Sequence, residues 1–215
     1  MLPAKEVILA LAARYNNLAG EAAHIRRLWP SDVAGYREHL LRLDRAARYA
    51  RFGAVISDAV LADHANACFG AETLVFGYFV EGVIRGAAEL HILDPGARLY
   101  LREGEAAFSV EKPWRHSGLG SALIGRLVLA AGNRGLRVLV ISCLPQNFAM
   151  QGLAKKFGAT LKCETDEVMG KITVQLPTPQ TIFAEVVEDS LDFATALFDL
   201  QKRIFRSPVP ADQAA

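Results

Sequence analysis

Residues 111–123 read EKPWRHSGLGSAL and join an apolar, strand-like run to an amphipathic helix. Gly118 and Gly120 stand one residue apart at that junction, removing side chains where the backbone must turn tightly or approach something closely. A turn whose N–H groups converge just before a helix is an anion site, because the helix end leaves unpaired donors and partial positive charge. Arg115 and His116 add to that charge. The sequence lacks the P-loop pattern Gly-x4-Gly-Lys-Ser/Thr, and Leu123 stands where the dinucleotide fingerprint needs a small residue. Gly-x-Gly before a helix is equally compatible with a plain tight turn, so the flanking sequence has to decide.

Upstream, TLVFGYFVEGVIRGAAELHIL (73–93) is two strand-like runs split by Glu81-Gly82, a two-residue hairpin signal. After a turn at Pro95-Gly96, EAAFSV (105–110) alternates Ala106, Phe108 and Val110 against Glu105, Ala107 and Ser109. Three strands joined by turns predict an antiparallel meander. Downstream, Leu119, Leu123, Leu127, Ala130 and Ala131 line one face of a helix, with Arg126 and Arg134 off it. RVLVISCL (137–144) is apolar on both parities, as a strand covered on both faces should be. Asn147 is placed to cap a further helix with Met150, Leu153, Ala154 and Phe157 as its stripe, and TLKCETDEVMGKITVQL (160–176) returns to strand character.

Before the meander the spacing predicts a helix from Ala4 to Leu18, a short strand at AHIRRLW and a helix from Val33 to about Arg48. Ser57 opens another helix toward Phe69. A last helix carries Phe193, Leu197, Leu200 and Ile204, with acids at its start and Lys202, Arg203 and Arg206 at its end. The expected fold class is therefore α/β (α+β), a mostly antiparallel sheet with one local parallel crossing. Residues 22–180 form the domain. Residues 1–21 are a helical extension, and 181–215 a strand/helix extension packing on the domain or on a partner.

The chain has 215 residues, 52% of them hydrophobic, which is enough for one domain with a real core. Lys plus Arg total 24 against 23 for Asp plus Glu, so net charge selects no partner. The arginine-rich helices carry no aromatic interleaving or recognised nucleic-acid motif, and no nucleic-acid partner is expected. Cys68, Cys143 and Cys163 show no metal-ligand spacing and no CxxC pair, so neither a metal nor a disulfide framework is expected, and a reducing cytoplasm is. No apolar run approaches a membrane span, and the first residues read as an amphipathic helix and not as a secretion signal.

In this order the elements resemble the GCN5-related N-acetyltransferase (GNAT) superfamily. There a strand precedes a Gln/Arg-x-x-Gly-x-Gly/Ala loop, here Arg115-His116-Ser117-Gly118-Leu119-Gly120, that opens a helix. A buried strand and an Asn-led helix follow, here RVLVISCLPQNFAMQGLAKKFGA (137–159), and LRLDRAARYARFG (41–53) is similar to the early helices of bacterial members. The likeness runs from about Ile25 to Leu176. It implies a central sheet flanked by helices, whose splayed middle strands form a cleft for acetyl-CoA. Backbone N–H groups of His116, Ser117, Gly118, Leu119, Gly120 and Ser121 would hold the pyrophosphate, with Arg115 beside them. Val110, with Phe108 and Ser109, would line the pantetheine arm, and Asn147 and Lys156 would complete the donor site.

The resemblance implies an acetyl-CoA-dependent N-acetyltransferase acting by direct attack of a primary amine in a ternary complex. The acceptor would be a small-molecule amine or a protein lysine. Glu105 matches a frequent family acid and is the first candidate base, with Glu89 and His91 on the neighbouring strand as further catalytic candidates. The chain departs from the pattern at Ala154, where many members carry the tyrosine that protonates the departing thiolate. That departure keeps a second reading open, a non-catalytic acyl-CoA-binding or sensing domain. A homodimer is a further expectation, through the last helix.

Overall fold

A computed structural model describes residues 23–98 and 101–206. The helix expected from Ala4 to Leu18 lies outside the described residues. Among the described residues seven strands form one sheet: β1 (Ala23–Arg27), β2 (Thr73–Val80), β3 (Val83–Leu93), β4 (Glu103–Val110), β5 (Val138–Cys143), β6 (Thr160–Cys163) and β7 (Val168–Thr173). Their spatial order is β1-β2-β3-β4-β5-β7-β6. Every neighbouring pair is antiparallel except β4 and β5, which run parallel. The expected meander is present, turned at Glu81 and Gly82, whose φ angles of 51° and 76° are those of a tight hairpin with both central residues left-handed.

Helices cover both faces. α1 (Val33–Arg42), α2 (Arg45–Phe52) and α3 (Asp58–Ala67) lie on one side, where Tyr36, Leu40, Leu61 and Ala65 pack against Val75, Phe79, Ile84 and Ala87. α4 (Leu119–Asn133) and α5 (Phe148–Lys156) lie on the other. There Leu119, Leu123, Ile124 and Leu127 meet Phe76, Leu90, Leu139 and Ile141. Each such leucine, wholly removed from water, contributes about 2 kcal/mol before the entropy of ordering it is counted.

One expected element divides. The helix read from Val33 to Arg48 is interrupted at Leu43, whose backbone is extended. Asp44 then starts α2 by accepting the Ala47 N–H at 2.7 Å.

Among the described residues the C-terminal segment is a single helix, α6 (Pro179–Arg206), without a strand before its acids. Its acidic face is turned inward. Glu185 pairs with Arg134, Glu188 and Asp192 with Arg126, and Asp189 with Arg27. The apolar residues Ile182, Phe183, Val186 and Leu191 consequently point to solvent. No helix among the described residues is long and apolar enough to cross a membrane.

Candidate active site

The cleft arises where a strand pair stops pairing. β4 and β5 are in register only over Glu103↔Val138, Gly104↔Leu139 and Glu105↔Val140. Past Glu105, β4 continues along β3 as far as Gly86↔Val110, and β5 continues along β7 as far as Cys143↔Val168. The Glu111 N–H donates to the Arg85 carbonyl, on the β3 side. Alternation along an antiparallel strand then turns the backbone groups of Phe108 and Val110 toward the gap. The Val110 carbonyl accepts from Arg115 Nε at 3.1 Å.

The loop between β4 and α4 presents donors to the mouth of that gap. A single 3-10 turn, Lys112–Trp114, is followed by His116 at φ 61° and Gly118 at φ 87°. Both residues are left-handed, which costs the non-glycine His116 on the order of 1 kcal/mol. The turn is braced by Ser117 Oγ donating to the Trp114 carbonyl at 2.8 Å and by Arg115 reaching Asp44 at 3.4 Å. The backbone N–H groups of residues 116–120 find no acceptor among the described residues, whereas those of Ser121 and Ala122 bond back to the Gly118 carbonyl. Ser121 is thus outside the free row, and its hydroxyl accepts from Lys156 Nζ at 3.0 Å.

The two glycines have different duties. A Cβ at Gly118 would meet nothing within 4 Å, so glycine is needed there for its φ. At Gly120 a Cβ would stand 2.8 Å from Leu153 Cδ2, so glycine there lets α4 and α5 close up. Exposed free amides at the start of a fifteen-residue helix, with Arg115, His116 and Lys156 alongside, fit a diphosphate. Asn147 caps α5 by accepting the Met150 N–H at 3.1 Å, while its Nδ2 has no partner among the described residues.

The three sequence-derived catalytic candidates share one face. The β3–β4 register sets His91 beside Glu105 and Glu89 beside Ala107. Glu105 is exposed, has no side-chain partner among the described residues, and sits at the last β4–β5 pair. His91 is partly exposed, its Nε2 lying 2.8 Å from Glu89 Oε2 and its Nδ1 3.2 Å from Thr73 Oγ1.

Glu89 is buried and is met by Tyr36, Arg51, His64, Cys68 and His91. Burial by itself would raise its carboxyl. The Arg51 guanidinium at 2.7 Å and the hydrogen bonds from His64 and His91 outweigh that and hold it well below the usual carboxylate range. Burial and the adjacent Glu89 charge push the Tyr36 phenol well up.

A second buried carboxylate, Glu111, accepts from Arg42 at 2.9 Å and Arg85 at 3.1 Å, and lies 3.2 Å from His39 Nδ1. His39 Nε2 is 2.9 Å from Ser109 Oγ, so the Ser109 hydroxyl is engaged inside the protein. Burial lowers the His39 imidazole.

Sequence reasoning gave no site role to Tyr36, His39, Arg42, Arg51, His64, Cys68 or Glu111. The available signals were arginines recurring on the inner side of α1 and α2, and the four-residue step from His64 to Cys68. Ala154, at the position of the expected tyrosine, is buried in the core shared by α5 and the sheet.

Solved structures with this fold include three acetyltransferases. The GNAT domain of PAT from S. lividans superposes with a TM-score of 0.62 at 21% identity, covering 71% of this chain and 90% of that one. A putative acetyltransferase from Salmonella typhimurium, solved with its cofactor acetyl-CoA, gives a TM-score of 0.52 at 21% identity, covering 73% and 95%. Ribosomal-protein-S18-alanine N-acetyltransferase from Escherichia coli gives 0.55 at 16% identity, covering 73% and 97%. Residues 37–159, more than half of the sequence, match the family described as the acetyltransferase (GNAT) family. With the splayed β4–β5 pair and the amide loop in their places, the chain belongs to the GNAT family of acetyltransferases.

Proposed function

We propose that the protein transfers an acetyl group from acetyl-CoA to a primary amine by direct attack, with both substrates bound together. The observation that carries this reading is the row of unpartnered N–H groups at residues 116–120 beside the unpaired backbone of β4. Acetyl-CoA supplies the thioester carbonyl that an amine attacks. The loop amides, Arg115 and Lys156 bind its diphosphate, and Asn147 Nδ2 is a further donor. Phe108 offers its backbone groups and Val110 its N–H to an extended pantetheine arm, which lies along β4 as an added strand, the Val110 carbonyl being taken by Arg115.

An amine is nucleophilic only when neutral. Glu105 Oε is the free carboxylate on the acceptor face and takes that proton. His91, beside it, is held by Glu89 Oε2 and Thr73 Oγ1 and lines the path of the incoming amine; Glu89 is a positioning residue for His91. With alanine at position 154, solvent protonates the departing thiolate. The acceptor class is a small-molecule amine or a protein lysine, on the open face beside β5.

The direct test follows free thiol from acetyl-CoA over a panel of polyamines, amino acids, aminoglycosides and lysine peptides. Thiol release with one acceptor class, and its loss of about 100-fold in Glu105→Gln at unchanged acetyl-CoA affinity, is the expected result. An unchanged rate in Glu105→Gln removes it as the base. The loop is tested with Ser117→Glu, which sets a negative charge among the free amides at an exposed position. Acetyl-CoA affinity should drop at least about tenfold at constant Tm, and unchanged affinity refutes the placement.

Ala154 favours one other reading, an acyl-CoA sensor. Tight acetyl-CoA binding that Ser117→Glu abolishes, with no turnover on the whole panel, would establish it instead.

A further inference from the structure

Around Glu89 three different ligand atoms form a nearly equilateral triangle. His64 Nε2 lies 3.1 Å from Glu89 Oε2, Cys68 Sγ lies 3.2 Å from the same oxygen, and the imidazole nitrogen and the sulfur are 3.2 Å apart. A tetrahedral ion bound by one nitrogen, one sulfur and one oxygen at ordinary bond lengths needs ligand atoms roughly 3.3–3.6 Å apart. The observed triangle is within a few tenths of an ångström of one face of that tetrahedron.

Protonation gives the same indication. Glu89 Oε2 can draw the Cys68 S–H and the His64 N–H toward itself, but the nitrogen and sulfur are then two donors in mutual contact. A single divalent cation satisfies all three atoms at once, the Cys68 thiol releasing its proton to solvent and the His64 imidazole keeping its own on Nδ1.

The supports of such a site are in place. His64 and Cys68 stand one helical turn apart at the end of α3, fixed by the Cys68 N–H donating to the His64 carbonyl at 3.0 Å. The His64 ring is set edge-on against Phe52 at 5.1 Å. The other carboxylate oxygen, Oε1, is held by Tyr36 and by Arg51, so that Oε2, which His91 Nε2 also meets at 2.8 Å, is the oxygen facing the triangle. Cys68 and Glu89 are buried, whereas the His64 side chain is a quarter exposed and gives an ion its way in.

We propose that His64, Cys68 and Glu89 bind one divalent transition-metal ion of the zinc class, with solvent as the fourth ligand, tying α3 to β3. One thiolate, one carboxylate and one neutral imidazole are a borderline-soft set, suited to Zn²⁺ or Co²⁺ and not to Mg²⁺ or Ca²⁺. A metal was not expected from the sequence because the cysteines were weighed against one another, and this site draws on one cysteine only. The proposal is independent of the acyl-donor reading.

The test uses the full chain, stripped with a chelator and titrated with Co²⁺ and then with Zn²⁺ against a chromophoric competitor. One ion per chain is expected, with the intense visible bands of tetrahedral cobalt, a thiolate-to-cobalt charge-transfer band, and a Tm that rises with free zinc. Cys68→Ser should remove the charge-transfer band, and both Cys68→Ser and His64→Gln should weaken zinc binding by at least about 100-fold. Cys163→Ser, which alters an exposed thiol, should leave the spectrum and the affinity unchanged. Absence of a charge-transfer band in the unsubstituted protein overturns the proposal whether or not the variants fold. So does loss of the band in Cys163→Ser, or retention of one tightly held ion in Cys68→Ser.

Discussion

The loop of residues 115–121 and the surroundings of Glu89 are opposite kinds of unfinished chemistry. In the loop, the N–H groups of residues 116–120 are donors with no acceptor among the described residues, at an exposed helix start. Around Glu89, one buried carboxylate gathers five side chains. Spare donors at the surface are cheap because water serves them until an anion arrives. A buried charge without partners would be ruinous, so its partners have to come with the fold. The first region should therefore answer to mutation in ligand affinity, and the second in stability.

Arg51→Ala should give the largest effect. It leaves the Glu89 carboxylate, 1% exposed, without its guanidinium, and losing one partner of a buried pair costs about 3–5 kcal/mol. Urea unfolding reads this directly, and a loss under about 1 kcal/mol would show that the histidines suffice to hold the charge. Tyr36→Phe comes next. It removes one hydrogen bond to an ionised group and should cost about 1.5–3 kcal/mol. Because it leaves Arg51 in place, it separates the hydrogen bond from the charge.

Arg115→Ala is the counterpart in the loop. Its pairing with Asp44 at 3.4 Å is largely solvated, and such pairs contribute about 0–1 kcal/mol. Acetyl-CoA affinity should nevertheless fall about tenfold, because the Arg115 bond to the Val110 carbonyl ties the loop to β4. If stability fell as in Arg51→Ala while affinity held, the division between the two regions would be wrong.

The sequence made the loop legible and the carboxylate cluster illegible for one physical reason. Gly118 and Gly120, a strand before them and a capped helix after them are local, and local patterns survive in one dimension. The meander, the Glu81-Gly82 hairpin and the Asn147 cap were legible on the same ground. Glu89 is brought together with Tyr36, Arg51, His64 and Cys68 by packing three helices on a sheet, and no spacing along the chain encodes that. Alternation did place Glu89, His91 and Glu105 on one face. It could not tell that Glu105 is exposed and Glu89 buried among five side chains. The break at Leu43 was hidden because the apolar spacing of α1 runs on into α2, and only the Asp44 cap marks the second start.

The last helix fails the usual amphipathic rule in an instructive way. Phe193 and Leu197 recur at helical spacing and would ordinarily face the core, yet both are about half exposed. The acids of α6 pair instead with Arg27, Arg126 and Arg134, so the charged side is the buried one.

Asp192 is the converse of Glu89, a carboxylate whose burial outruns its partners. It accepts the Arg27 N–H at 2.7 Å and lies 3.2 Å from Arg126. Burial, and then the neighbouring Asp189 and Glu188, still push its carboxyl up to about 6. A folded-state value above the unfolded one means that its contribution to stability is full below about 3.8 and is lost as pH rises through about 6. Asp192→Asn keeps an acceptor for the Arg27 N–H and removes the titration. The variant should lose less stability than the unsubstituted protein between pH 5 and pH 7, and at neutral pH it should be at least as stable. Thermal unfolding at a series of pH values decides it. Parallel pH profiles for the two proteins would mean that Arg126 already compensates the charge, and that Asp192 belongs with Glu89 among the satisfied carboxylates.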